Sequence, residues 1–218
     1  MEGIKKMKHR PHGPYEKYIK RPMDFVLALF ALICLSPVIA ATALLVKIKL
    51  GSPVLFIQER PGRYGKIFRL YKFRSMTNEK DPEGNLLPDN VRLTRFGRLL
   101  RSTSLDELPE LINMVKGDMS LIGPRPLLVR YLDYYNEYEN RRHEVRPGLT
   151  GLAQISGRNT ITWRDKFARD VEYVDSVSFC LDCHIFIQTI KKVFTREGIE
   201  FRSGETVMDY FQGTNRLE

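Results

Sequence analysis

Hydrophobic positions are very unevenly spread along these 218 residues. One uncharged run of 22 residues, FVLALFALICLSPVIAATALLV from Phe25 to Val46, holds nearly all of the apolar excess. That length can cross a hydrocarbon core of about 30 Å. Ser36-Pro37 falls in its middle, however, and a proline inside a helix lacks the N–H donor and clashes with the carbonyl four residues back. Each arm is then about 15–18 Å long at about 1.5 Å per residue, too short to cross alone. The flanks match in sign, with Lys17, Lys20 and Arg21 before the run and Lys47, Lys49, Arg60, Arg63 and Lys66 after it. A single crossing carries its lysine and arginine bias on one side only. The pattern predicts a broken helix that enters and leaves by one face; a proline-kinked spanning helix is the alternative, and a buried helix of a soluble domain a more distant one. A cleaved export signal is not expected, because a long charged stretch precedes the run. Asp24, beside Lys20 and Arg21, reads either as a solvated helix-start residue or as a salt link fixing the angle of the helix. The salt link is slightly favoured.

Shorter patterns follow. PVLFIQE (53–59) and KIFRLYKFR (66–74) read as two strands around a Pro-Gly-rich turn. Residues 78–90, NEKDPEGNLLPDN, form a polar loop. Leu93, Phe96 and Leu100 recur at helical spacing, flanked by Arg92, Arg95, Arg98 and Arg101. Such a helix suits an anionic membrane surface, or is a charged face over an ordinary core stripe. Tyr131, Tyr134, Tyr135 and Tyr138 predict a helical stripe used mainly for packing, and Cys183, Ile187, Ile190 and Phe194 a packed helix. Residues 1–16, basic and carrying Pro11 and Pro14, are expected to be disordered or on the surface.

The stretch STSLDELPEL (102–111) sets Asp106 beside Glu107. Ser104 with Glu107 three residues on forms a capping box, and Leu108, Leu111, Ile112 and Val115 supply the apolar face of a helix that Gly117 stops. Pro109 makes that helix begin or kink at its own position. In either case Asp106 falls near a helix N-terminus, where the dipole favours an ionised carboxylate and backbone N–H groups favour a phosphate. A carboxylate there could attack phosphorus or bind Mg²⁺. Capping remains the simpler use when the pair is read alone.

Charge changes that weighting. A net charge of +9 and a pI near 9.5 point to anionic partners: nucleic acid, lipid headgroups or phosphorylated substrates. Lys72 and Arg74 lie in KFRSM, and Arg125 is clamped between Pro124 and Pro126 in SLIGPRP. RPGLTGLAQISGRN adds Arg158, Thr150 and Gln154 among Gly148, Gly151 and Gly157. A proline-flanked arginine loses little entropy on gripping two phosphate oxygens. Cations on separate loops beside an acidic pair describe a pyrophosphate site with a metal between like charges. A nucleic-acid protein would show a recognition motif or aromatics interleaved with the basic residues; these arginines sit beside proline, glycine and carboxylates, so nucleic acid is not an expected partner. Three cysteines, Cys34, Cys180 and Cys183, are too few for a disulfide framework and suggest a reducing compartment. CLDCH (180–184) matches a haem-attachment pattern of only five residues inside a helical run, and no second cysteine pair completes a zinc site.

Taken together, KRPMD, the Ser-Pro-broken run, FIQERPGRYGKIFRLYKFRSM, LLRSTSLDELPELINMVKGDMSLIGPRP and RPGLTGLAQISGRN make the chain resemble the bacterial sugar transferase family. These are the monotopic phosphoglycosyl transferases that begin glycan and exopolysaccharide assembly on a lipid carrier. The likeness runs from about Lys20 to Lys191, in the minimal single-module form. It implies transfer of a phosphosugar from a UDP-sugar to polyprenyl (undecaprenyl) phosphate, with release of UMP. It also implies that Asp106 attacks the sugar-bearing phosphate to give a covalent intermediate, assisted by Glu107 as base or metal ligand. By the same likeness Lys72, Arg101 and Arg125 hold phosphate oxygens, Pro124 and Pro126 shape the nucleotide pocket, and Arg74, Gln154 and Arg158 complete the substrate contacts. Mg²⁺ is the implied cofactor, on Asp106 and Glu107 with Asp182 as a further metal or substrate contact. Near the metal and the helix end Asp106 is expected to stay ionised, while Glu107 takes a raised pKa suited to proton handling. The fold implied is an α/β (α+β) domain of helices with a small sheet, on the cytoplasmic face of the bacterial inner membrane. Its expected parts are a basic N-terminus (1–16), a re-entrant helix (17–50), a catalytic domain (51–195) and a tail (196–218). A homodimer is left open. An inert scaffold of the same family is disfavoured by the intact Asp106, Glu107, Lys72 and Arg125.

Overall fold

The computed structural model describes residues 10, 11, 13–157, 161–195 and 211. The apolar run folds as two helices, α1 (Lys20–Cys34), which continues a π-helical turn at Tyr15–Ile19, and α2 (Ser36–Leu50). They meet at 63°. Ser36 Oγ donates to the Ile33 carbonyl at 2.7 Å, and Pro37 sits in the first turn of α2, where no N–H is needed. The break thus falls where proline chemistry puts it, and among the described residues no single helix is long and apolar enough to cross a membrane. Val26, Leu27, Phe30 and Ile33 of α1 and Leu44, Leu45 and Ile48 of α2 are exposed.

Helical structure takes in Tyr15, inside the stretch expected to be disordered or on the surface, and the Tyr15 hydroxyl donates to Asp182 (2.6 Å) while its ring packs edge-on against Phe179. Three charged residues then fix the foot of α1. Lys20 Nζ lies 2.5 Å from Asp182, both buried. Arg21 donates to the carbonyls of Met114 and Val115 (2.8 and 3.0 Å). Asp24 is not ion-paired with Arg21: buried at 2% exposure, it accepts from Ser120 Oγ (2.6 Å) and the Leu121 N–H (3.2 Å). A carboxylate that far from water is held by several donors rather than by one flexible cation.

After α2 come β1 (Leu55–Pro61) and β2 (Ile67–Phe73), an antiparallel hairpin with Leu55 opposite Phe73. β1 starts past Pro53, which cannot donate to the ladder. Next are α3 (Asp89–Arg92) and α4 (Arg95–Ser102), separated where Thr94 Oγ1 accepts from the Gly97 N–H (3.0 Å) and starts a new helix. Gly97 is required there, since a Cβ would lie 1.8 Å from the Ser75 carbonyl oxygen. A 3₁₀ turn (Leu105–Glu107) leads into α5 (Glu110–Lys116) and β3 (Ser120–Ile122). α6 (Glu137–Asn140) precedes β4 (Gly148–Thr150), which pairs parallel with β3. α7 (Leu152–Ser156), α8 (Trp163–Ser176) and α9 (Phe179–Thr195) close the domain. The result is helix-rich with two small two-stranded sheets.

The tyrosine stripe is not one helix. Asn136 and Glu139 form a reciprocal capping box that starts α6 in its middle. Tyr131 and Tyr135 pack with Trp163, Phe167 and Phe211, whereas Tyr134 and Tyr138 are exposed. Phe211 shows that the C-terminal stretch contributes a core side chain. One core joins Ala28 of α1 to Phe68, Leu70, Leu111, Met114 and Met119; another joins Ile122, Val145, Tyr173, Val174 and Ile185. In CLDCH, Cys180 is exposed, Cys183 is half-buried, and Asp182 points inward.

The buried Lys20–Asp182 pair predicts that Asp182→Asn, which strands the ammonium, costs about 3–5 kcal/mol of stability. Glu172→Gln, breaking the exposed Arg169–Glu172 pair, should cost under about 1 kcal/mol. Thermal unfolding of the two purified variants separates these outcomes.

Candidate active site

The site forms where β2, the 3₁₀ turn and the loop after β3 meet. Asn113, fully buried, joins α5 to β2 as a strand neighbour would: Nδ2 donates to the Arg69 carbonyl (2.7 Å) and Oδ1 accepts from the Tyr71 N–H (3.1 Å). That clamp sets Lys72 over the turn. Lys72 Nζ then lies 2.7 Å from Glu107 Oε1 and 3.0 Å from Glu110 Oε1, and the Arg125 guanidinium donates to the same Glu107 oxygen. Ser104 does not cap the helix. Its backbone is left-handed (φ 55°) and its side chain makes no cap bond, because α5 starts only after Pro109 and the Glu107 carboxylate is taken by the two cations.

Arg125 is held from behind. Glycines of SLIGPRP and RPGLTG lie back to back: a Cβ on Gly148 would come within 2.1 Å of Gly123 N, and one on Gly151 within 2.2 Å of Gly123 O. Only bare backbone allows that approach. Arg142, in a fully buried ion pair with Asp170 (2.7 Å), donates to the Arg125 carbonyl (2.7 Å), and Arg60 donates to the Pro126 carbonyl (3.2 Å). Glu110, Asn113, Arg142 and Asp170 were not singled out in the sequence. Asn113 and Asp170 are polar positions on otherwise apolar helix faces, whereas Arg142 lies in the polar run RRHE and carries no such signal.

The acidic pair titrates opposite to the expectation from sequence. Asp106 is 8% exposed and, among the described residues, accepts no hydrogen bond. Burial first, and the Glu107 charge second, push its carboxyl up to about 6, against the attraction of Lys72, Arg101 and Arg125. Burial would raise Glu107 too, but Arg125 and Lys72 overcome it and hold Glu107 down at about 2. Direct contact decides the split: both cations touch Glu107 and neither touches Asp106. Glu110 is also raised, chiefly by burial.

The other expected residues divide. Arg101 donates to Ser75 Oγ (2.9 Å) and lies near enough to act on Asp106. Arg74 points away: it donates to the carbonyls of Ser52 and Leu50 and ties down the chain leaving α2. Gln154 donates weakly to the Leu149 carbonyl (3.4 Å), leaving its buried Oε1 without a partner. Asp182 belongs to the foot of α1, its oxygens occupied by Lys20, Tyr15 and Tyr173, an arrangement that opposes a metal or substrate contact. Arg158 lies outside the described residues. Among the described residues no group of three His, Cys, Asp or Glu side chains is arranged as a metal cage.

The site therefore sets a buried carboxyl with no hydrogen-bond donor among the described residues beside a carboxylate contacted by two cations. The sequence profile of the family described as bacterial sugar transferase matches residues 15–196, and the chain belongs to that family. It is 54% identical over 196 residues to an uncharacterised sugar transferase, EpsL, of Bacillus subtilis, covering 90% of this chain and 96% of that protein. It is 37% identical to a UDP-glucose:undecaprenyl-phosphate glucose-1-phosphate transferase of Caulobacter vibrioides, covering 86% of this chain and 76% of that one. It is 38% identical to a UDP-N-acetylgalactosamine-undecaprenyl-phosphate N-acetylgalactosaminephosphotransferase of Aeromonas hydrophila, over 85% of this chain but 46% of that longer protein.

The raised Asp106 makes a stability prediction. Its folded pKa of about 6 exceeds the ordinary 3.8, so the fold favours the neutral form and loses stability as pH rises from about 4 to 6, levelling off above. Asp106→Asn cannot ionise and should be the more stable protein at pH 7, by up to about 3 kcal/mol for a shift of about two units, with the advantage vanishing near pH 4. Melting curves of both proteins across that range test it.

Proposed function

We propose that this chain transfers a sugar phosphate from a UDP-sugar to polyprenyl phosphate through a covalent Asp106 intermediate. An Asp106 oxygen attacks the sugar-bearing phosphorus; the bond from that phosphorus to the bridging oxygen breaks, and UMP leaves. An oxygen of polyprenyl phosphate then attacks the same phosphorus, the aspartyl P–O bond breaks, and the free carboxylate is restored alongside polyprenyl-diphosphate-sugar. The observation that carries this is Asp106 itself, a largely buried carboxyl with no hydrogen-bond donor among the described residues, set within the field of Lys72, Arg101 and Arg125.

Glu107 takes a role different from the proton carrier that the acidic pair first suggests. A carboxylate held at about 2 is a poor base, and its part is to fix Lys72 and Arg125 around the incoming pyrophosphate. Glu110, with its raised pKa, is the better placed proton acceptor. Magnesium is held in such sites by one or two carboxylates plus substrate phosphates, with water completing its shell. The unpartnered Asp106 fits that mode, with Glu107 as a second oxygen donor. When bound, the ion would neutralise pyrophosphate charge and favour ionised Asp106.

The bent α1–α2 pair, apolar on its outer face and basic at both ends, is read as a re-entrant anchor in the bacterial cytoplasmic membrane. That places the reacting groups where a polyprenyl phosphate carries its headgroup. The names of the relatives support the donor and acceptor classes.

The test incubates the protein with a panel of UDP-sugars without lipid acceptor and seeks a phosphosugar adduct by intact-protein mass spectrometry. Asp106→Asn should give neither adduct nor UMP, and Lys72→Met should slow adduct formation about 10²-fold or more. The adduct rate should rise with pH through about 6, as Asp106 ionises. Turnover with acceptor but no adduct with any donor overturns the covalent route.

A further inference from the structure

Three arginines meet on the side of the molecule away from Asp106, at the other end of α5. Arg21, in the first turn of α1, is fixed by its bonds to the Met114 and Val115 carbonyls. Arg146 Nε donates to the Gly117 carbonyl (3.0 Å), and Arg21 Nη2 reaches to within 2.9 Å of where a Cβ on Gly117 would stand. Arg63 Nε donates to the Glu144 carbonyl (3.0 Å). Tyr64, whose left-handed backbone (φ 57°) turns its ring under Arg63 at 4.8 Å, completes the wall.

Two of these guanidinium groups are anchored through Nε alone. The Nη1 and Nη2 groups of Arg63 and of Arg146 meet no protein acceptor among the described residues, and none of the three arginines forms an ion pair with a carboxylate there. The nearest acid acting on Arg146 is Asp24, whose oxygens are already committed to Ser120 and Leu121. Like charges are thus held together chiefly by backbone carbonyls, with no carboxylate in direct contact among the described residues. Consistent with that, burial, then Arg63 and Arg21, lower the pKa of Arg146.

We propose that Arg21, Arg63 and Arg146 form a second phosphate site, separate from the catalytic one, that takes the phosphodiester of an anionic lipid headgroup. Guanidinium forks held in advance are suited to phosphate oxygens, because little freedom remains to be lost on binding. α5 has seven residues, so its two ends lie about 10 Å apart at about 1.5 Å per residue. A lipid seated at Gly117 would therefore not occupy the reaction centre at Glu110. The lipid source follows from continuity: Arg21 shares its helix with the exposed Val26, Leu29 and Phe30, and lies 5.7 Å from the Phe25 ring. This rests on the membrane reading of the bent pair, in which the three arginines sit at headgroup depth.

The full-length protein is reconstituted into vesicles of phosphatidylcholine, with or without phosphatidylglycerol, extracted, and weighed by native mass spectrometry. The wild type should retain phosphatidylglycerol in preference to phosphatidylcholine. Arg63→Gln/Arg146→Gln should retain about tenfold less, or lower still, while forming the sugar-phosphate adduct normally in detergent. Arg63→Gln alone, on the half-buried turn between β1 and β2, should keep the wild-type melting temperature within a few degrees and show an intermediate loss. Equal retention by wild type and variants, or none by either, overturns the site. Stabilisation of the wild type by inorganic phosphate, lost in the variants but without any lipid preference, overturns the lipid assignment. Co-sedimentation with pure phosphatidylcholine vesicles checks the membrane reading separately; if the wild type stays in solution, that reading fails, and the lipid source with it.

Discussion

Glu107 Oε1 accepts from both Lys72 and Arg125, and three elements distant in the chain depend on that double contact. Lys72 comes from β2, Glu107 from the 3₁₀ turn, and Arg125 from the proline-bounded loop after β3. A carboxylate taken from water without its partners would cost several kcal/mol. Lys72, largely covered, would lose much of its hydration as well, whereas the Arg125 side chain keeps part of its own. The three elements therefore come together only as an ionised triad. Its effect on Asp106 is indirect but large. The cations satisfy Glu107 by contact and reach Asp106 only through space, so burial and the Glu107 charge prevail there. One carboxylate is made an anchor, and its neighbour is left free.

The same economy of buried polar contacts sets the site relative to α1. Lys20 and Asp24 tie α1 to α9 and β3, while Arg21 takes the terminal carbonyls of α5. α5 is thus clamped at one end by the helix foot and presents Glu110 to Lys72 at the other. Asn113, between these ends, holds it to β2. A short strut held at both ends thus keeps the turn that carries Asp106 at a fixed distance from the foot of α1.

The parts of this structure legible in the sequence are those carried by pattern. The helix break at Ser36-Pro37, the hairpin around Pro61-Gly62, and the approach of Lys72 and Arg125 to the acidic pair follow from proline chemistry, alternation and charge. Arg101 is placed there by resemblance, and Arg74, grouped with them by charge, turns away. What stayed hidden turns on distance. Ser104 and Glu107 have the spacing of a capping box, but spacing does not reveal that two cations reach Glu107 first. The tyrosines have helical spacing, but Asn136 restarts the chain among them. Asp24 has cations one turn away, yet Ser120, distant in sequence, supplies its bond. Asp182, grouped with the metal ligands by resemblance, is claimed by Lys20 and two tyrosine hydroxyls.

In the proposed reaction, a nucleophile with a pKa near 6 differs from one near 4 in a way that bears on the chemistry. At pH 7 Asp106 is ionised about ten to one, so little is lost in population. The gain is basicity, since a carboxylate that holds its proton more tightly also gives its electron pair more readily to phosphorus. The danger comes when the donor arrives, because a diphosphate beside a buried carboxyl would raise its pKa further and silence it. Lys72, Arg101 and Arg125 stand against Glu107, Glu110 and an ionised Asp106, so the incoming charge is met by cations that Glu107 gives up. Glu107 then has a reason to be so strongly acidic: it must keep these cations in place before the substrate comes, and yield them in part when phosphate oxygens offer a better partner.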